Sequence, residues 1–149
     1  MASELTFMMG NYPAVLPADR KYCRNHMWCQ TTNGRHRFGF TAYAVRLMQD
    51  VYFLEWHIDP GTSLTLLQPI GHLETSKAMA DLFAPIAGTL VEFNAALLAD
   101  PSAINVGNYA QGWLFEMTGD TTNTLSPNEY YDFLAQNWEK TQAALKGHM

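Results

Sequence analysis

A mainly β domain, a sandwich or barrel closed by one C-terminal helix, is the fold class this sequence predicts. Three observations predict it. Short apolar runs separated by turn residues fill the stretch from Tyr22 to Trp113. Asn33-Gly34 stands between two such runs as a tight-turn dipeptide. An amphipathic segment with its own start signal begins only at Ser126. At 149 residues, with 48% hydrophobic and 15% charged side chains, the chain is a single folded domain and lies far from a disordered composition.

Taken in order, the first twenty residues hold Pro13 and Pro17 among small and polar neighbours and show no period, which predicts an extended arm over residues 1–21 lying across the domain. Strand-type runs follow at Arg37 to Phe40, Val51 to His57, Ser63 to Leu67 and Thr89 to Phe93. Short helices are predicted at Thr41 to Met48 and at Asn94 to Leu98, because Thr41 and Asn94 can accept from the free N–H groups of a first turn. Ser126, Pro127 and Glu129 combine a capping box with proline at the first helical position. The resulting helix, residues 126–146, carries Tyr130, Phe133, Leu134, Trp138 and Leu145 on one stripe, with Glu129, Asp132, Glu139 and Lys140 mainly opposite. It is expected to pack as a lid over one edge of the residue 22–125 domain. Gly147, His148 and Met149 read equally well as a native tail or a cloning remnant.

A net charge of -5, a pI near 5.4 and nine scattered Lys and Arg residues argue against nucleic acid as a partner. No run approaches the roughly 18 to 20 apolar residues of a membrane span. The start has no basic segment followed by an apolar one, so a cytoplasmic protein is expected. Cys23 and Cys29 read as reduced thiols. Together with His26 and His36 they supply zinc-type ligands, but the Cys-x5-Cys spacing lacks the short loop of common structural sites, and no metal is expected.

The segment from Gly71 to Pro85 carries the chemistry. Leu73 and the pair Leu82/Phe83 read as core anchors on either side of a polar, small-residue turn, which places Lys77 at the tip with its amine in water. Glu74-Thr75-Ser76-Lys77-Ala78 resembles the stretch around the modified lysine of the glycine cleavage H-protein family and of lipoyl domains at large. Further similarities follow in order: Tyr22, His26-x-Trp28, Gly39-Phe40-Thr41-x-Tyr43-Ala44, Pro60-Gly61, Leu82-Phe83-Ala84-Pro85, Gly88, Asn94 and Gly112-Trp113. They cover about Tyr22 to Gly119.

The resemblance implies a flattened lipoyl-domain barrel, a barrel-sandwich hybrid of two small sheets with short helices and a C-terminal helix. It implies lipoate joined by an amide bond to Lys77, with Glu74, Thr75, Ser76 and Ala78 as the flanks of the attachment turn. The protein would then be a carrier without catalysis of its own, served by a lipoate-attaching enzyme. One or two of Trp28, Tyr52, Phe53, Trp56 and Trp113 are expected beside the lysine, in a groove protecting the arm.

The departures are specific. The family's His-Glu-Trp is His26-Met27-Trp28, an aspartate gives way to Ala42, a glutamate to Gln111, and a glycine ten residues before the lysine to Leu67. Such a sequence looks similar to the divergent lipoate-binding proteins of heterodisulfide-reductase-like sulfur oxidation, whose partner would be that complex. The alternative is glycine cleavage, with glycine decarboxylase, aminomethyltransferase and dihydrolipoyl dehydrogenase as partners, and a second alternative is an unmodified binding module. A biotin carrier would show Met-Lys-Met where Ser76 and Ala78 stand. No nucleophile or nucleotide motif of a hydrolase or transferase occurs.

Overall fold

A computed structural model describes the backbone of residues 4–147 and the side chains of residues 4–143. Its elements begin with β1 (Leu5–Met9), β2 (Tyr12–Leu16), β3 (Lys21–Tyr22), β4 (Met27–Thr32), β5 (Arg35–Phe40) and α1 (Ala42–Met48). There follow β6 (Val51–Trp56), β7 (Ser63–Leu64), β8 (Pro69–Thr75), β9 (Met79–Phe83) and β10 (Gly88–Phe93). The chain closes with α2 (Ala95–Ala99), α3 (Ala103–Val106), β11 (Phe115–Gly119) and α4 (Pro127–Gly147).

Local chemistry sets most of the junctions. Asn33 and Gly34 adopt φ of 53° and 76°, both left-handed as a two-residue turn between twisted strands requires, and close the β4–β5 ladder with Thr32 opposite Arg35. Thr41 accepts from the Ala44 N–H at the start of α1, and Asn94 from the Ala96 N–H at the start of α2. The capping box of α4 is reciprocal: the Ser126 N–H donates to Glu129 Oε1 at 2.8 Å, and the Glu129 N–H to Ser126 Oγ at 3.1 Å.

Six strands in the order β3-β4-β5-β11-β10-β7 form one sheet and three in the order β6-β8-β9 form another, all antiparallel. Phe38, Leu90 and Met117 of the larger sheet bury against Leu54, Leu73 and Leu82 of the smaller, with Leu97 and Ile104 of the short helices closing the same core. This is the sandwich architecture the sequence implied. Gly88 is fixed by close approach, since a Cβ there would run into the Thr118 carbonyl across the β10–β11 ladder.

The first twenty residues depart from expectation. Residues 5–16 form a separate hairpin, β1 against β2, whose Phe7, Met9, Ala14 and Leu16 bury under α4 and α1. Met8 is exposed although apolar, and Pro13 stands inside the second strand, where a proline argues against a strand, so the alternation was hidden in the sequence. This second core also takes in Tyr22, Trp28, Tyr43, Leu125, Tyr130 and Leu134, with Phe133 and Trp138 at its border. The predicted stripe of α4 is thus the buried one; the side chain of Leu145 lies outside the described residues, as do His148 and Met149.

The run predicted from Ser63 to Leu67 is a strand only to Leu64. The chain then turns, the Gln68 N–H donating to the Thr65 carbonyl at 3.2 Å, and Leu67 takes a left-handed φ of 64°. A leucine is strained in that region, which is why a glycine suits this position in the family. Leu67 is also exposed, so little packing is at stake. Leu67→Gly is expected to raise stability by about 1 kcal/mol, net of the greater freedom glycine gives the unfolded chain, as read from the urea midpoint at constant m-value.

Candidate functional site

The strands β8 and β9 pair from Gly71↔Leu82 to Glu74↔Met79 and project a tight turn, Thr75-Ser76-Lys77-Ala78, from the end of the smaller sheet. Ser76, Lys77 and Ala78 are exposed, while Thr75 is buried and Glu74 half-buried. All five predicted residues therefore lie together, with the lysine at the tip. Among the described residues its ammonium enters no ion pair. Leu73 and Leu82 anchor the hairpin in the core as expected, but Phe83 does not: it lies on the opposite face of β9 and is exposed.

Thr75 organises this turn. Its N–H donates to the Ala78 carbonyl at 2.8 Å, and its Oγ1 accepts from the N–H groups of Lys77 and Ala78, each at 3.2 Å. The hydroxyl hydrogen reaches the Ala78 carbonyl, also at 3.2 Å. The side chain thus stands in for the carbonyl that would ordinarily close a hairpin, a role open to Thr and Ser hydroxyls. Neither Ser76 nor Lys77 has a positive φ, so no glycine is needed. Thr75→Val keeps shape and strand propensity but removes that acceptor. It is expected to destabilise the protein by about 1 to 3 kcal/mol in denaturant titration, whereas Thr75→Ser should do so to a smaller degree.

A second support comes from far along the chain. The Ser76 N–H donates to the Asp50 carbonyl at 3.1 Å. That carbonyl belongs to a segment clamped by Asn105 of α3, which accepts from the Val51 N–H at 2.9 Å and donates to the Gln49 carbonyl at 2.7 Å. Gln49 sits at φ 64° inside this clamp. Nothing local in the sequence marks Asn105, because its partners are set by tertiary contact.

The aromatic residues divide. Trp28 is buried, its indole N–H donating to the Asn108 carbonyl at 2.8 Å, and Trp56 stacks on Phe93 with centroids 4.7 Å apart. Trp113 lies under the Arg37 guanidinium at 4.0 Å. Phe53 and Tyr52 are exposed on β6, and Phe53 is registered with Glu74 just before the lysine turn.

Cys23, His26, Cys29 and His36 are not gathered into a ligand set among the described residues. Both thiols are free and buried, and burial raises the pKa of each, that of Cys29 to about 11. Neither is a thiolate near neutrality. His36 spends both ring nitrogens on Thr31 Oγ1 and the Gly119 carbonyl. His26 belongs to α4 packing: its Nδ1 lies 2.9 Å from the Tyr130 hydroxyl, which lies 3.0 Å from Thr41 Oγ1. One direction satisfies the whole chain, with Ala44 N–H donating to Thr41, Thr41 to Tyr130, and Tyr130 to a neutral His26. Burial lowers the His26 pKa to about 4.

The three lost acidic positions are not equivalent. Met27 is in the core, Ala42 is half-buried with its N–H bonded to the Tyr109 hydroxyl, and only Gln111 is exposed. A carboxylate at position 27 would be desolvated here, so methionine reflects packing and not a changed partner.

The family model described as Glycine cleavage H-protein matches residues 20–137. The chain is 34% identical to the glycine cleavage system H protein of Beutenbergia cavernae over 110 residues, 74% of this chain and 88% of the relative. It is 33% identical to that of Rubrobacter xylanophilus over 118 residues, 78% and 93% of the two chains. Among solved structures, a glycine cleavage system H protein from Mycobacterium marinum superposes with a TM-score of 0.71 at 30% identity, covering 82% of this chain and 98% of that one. These relatives are glycine cleavage proteins, and they give no support to the sulfur-oxidation branch that the departures suggested.

Proposed function

Because the chain belongs to the glycine cleavage H-protein family, we propose that it is the lipoyl carrier of glycine cleavage, with Lys77 as its attachment residue. The observation that carries the reading is the lysine turn: an exposed primary amine on a turn whose backbone is held by Thr75 from within and by Asp50 from outside. Those residues fit the group, since an amide to lipoate needs an accessible, unpaired amine on a backbone that a modifying enzyme can read. When bound there, lipoate supplies a dithiolane able to carry an aminomethyl group and reducing equivalents.

The work of this chain is display and recognition, not catalysis. Residues 22–125 form the carrier unit on this reading, with the β1–β2 hairpin and α4 packed against it. Glu74, Ser76 and Ala78 give the modifying enzyme a small, polar approach to the amine. The partners are a lipoate-attaching enzyme, glycine decarboxylase, aminomethyltransferase and dihydrolipoyl dehydrogenase. Among the described residues no helix is long and apolar enough to cross a membrane.

The deciding experiment is intact and peptide mass spectrometry of the protein from its native host. A lipoyl adduct on the Lys77 peptide supports the reading, and a bare lysine across growth conditions would reduce the protein to a binding module. Loading of the lipoylated protein with an aminomethyl group by glycine decarboxylase then separates glycine cleavage from sulfur oxidation.

A further inference from the structure

The outer face of the β6-β8-β9 sheet carries a cluster that the carrier function does not use. Glu55 and His72 are paired directly across β6 and β8, and His57 follows Glu55 two residues on, beyond the end of β6. Its backbone N–H still bonds the Ile70 carbonyl at 2.9 Å, so it stays registered with the sheet. His57 Nε2 lies 3.0 Å from His72 Nδ1 and 3.8 Å from Glu55 Oε2, and His72 Nε2 lies 3.8 Å from the same oxygen. One ligand atom from each residue falls within 4.8 Å of the other two.

We infer that Glu55, His57 and His72 form a binding site for one divalent first-row transition ion of the Zn2+ type. Bonds of about 2.0 to 2.2 Å in a tetrahedral arrangement set ligand atoms about 3.3 Å apart; with His72 ligating through Nδ1, the 3.0 Å and 3.8 Å separations from His57 Nε2 bracket that value, so small side-chain rotations complete the set. Two imidazoles and one carboxylate suit zinc and its neighbours and suit Mg2+ and Ca2+ poorly. The site is built on paired strands, and the His72 ring is already oriented: its side chain is 17% exposed and packs on Phe53 with centroids 5.5 Å apart. Asp81, registered with His72 on β9, adds a second carboxylate to the neighbourhood. Three protein ligands leave a fourth position open to solvent for water or an external donor.

Titration of the full chain with Zn2+ in a non-chelating, near-neutral buffer, followed by calorimetry, tests this. One saturating equivalent is expected, weakened at least about tenfold by His57→Ala and by His72→Ala. His57 is half exposed, so its variant retains the fold, and circular dichroism checks both. Cys23→Ser with Cys29→Ser, and Lys77→Ala, should leave the affinity unchanged. Absence of saturable binding overturns the inference. So does binding that survives both histidine substitutions or is lost with the cysteines. Because Lys77 is not a ligand, failure here is distinct from failure of lipoylation.

Discussion

Lys77→Ala incubated with a lipoyl ligase and its activated acyl donor gains no lipoyl mass, while the wild-type chain gains one adduct on the Lys77 peptide. The loss should be complete, because an amide requires a primary amine and no other residue of the turn supplies one. Lys77→Arg keeps the charge and is expected to fail equally, which separates the need for acylation from any need for a cation. Since Lys77 is exposed and in no described ion pair, both variants should unfold within about 0.5 kcal/mol of wild type. Aminomethyl loading in the presence of glycine decarboxylase should fall to background. A lipoyl adduct on Lys77→Ala would move the attachment site elsewhere.

The second large effect concerns acid. Burial holds His26 neutral, with a folded pKa near 4 against an ordinary value of 6.5. A group whose pKa is lower in the folded state stabilises the fold above its unfolded pKa, and that contribution declines as pH falls from about 6.5 toward 4. Near the acid end of that window, at about pH 4.5, linkage gives a loss of about 2 to 3 kcal/mol relative to neutrality. His26→Asn is the informative variant, because asparagine tolerates the φ of 68° at this position and does not titrate. Urea titrations at neutral pH and near pH 4.5 should show a steep fall for wild type and a shallower one for His26→Asn. Equal slopes would mean that α4 opens before His26 takes up a proton.

What the sequence made legible was local. The caps at Thr41, Asn94 and Ser126 each depend on partners within three residues, and the Asn33-Gly34 turn on two, so pattern alone located them. The lysine turn was legible for the same reason, with Thr75 only two residues from Lys77. Features joined by long chain separations were not. Asn105 supports the turn through Gln49 and Val51, and the His57–His72 contact exists only because β6 and β8 pair. The β1–β2 hairpin escaped because apolar residues stand on both of its faces. Met27 was misleading in the opposite way: it read as the loss of the family's glutamate and proved to be a core residue.

On the proposed carrier reading, the hydrogen bonds around Thr75 and Ser76 also bear on how an attaching enzyme would meet this chain. Fixing a flexible residue costs about 1 to 2 kcal/mol of backbone entropy, and at this turn that cost is met during folding. An enzyme that reads the turn binds a shape already present, whereas a short peptide of the same residues would have to be ordered on the enzyme. On that reading, the folded domain would be the substrate of the attaching enzyme, and acylation would double as a check that folding has been completed.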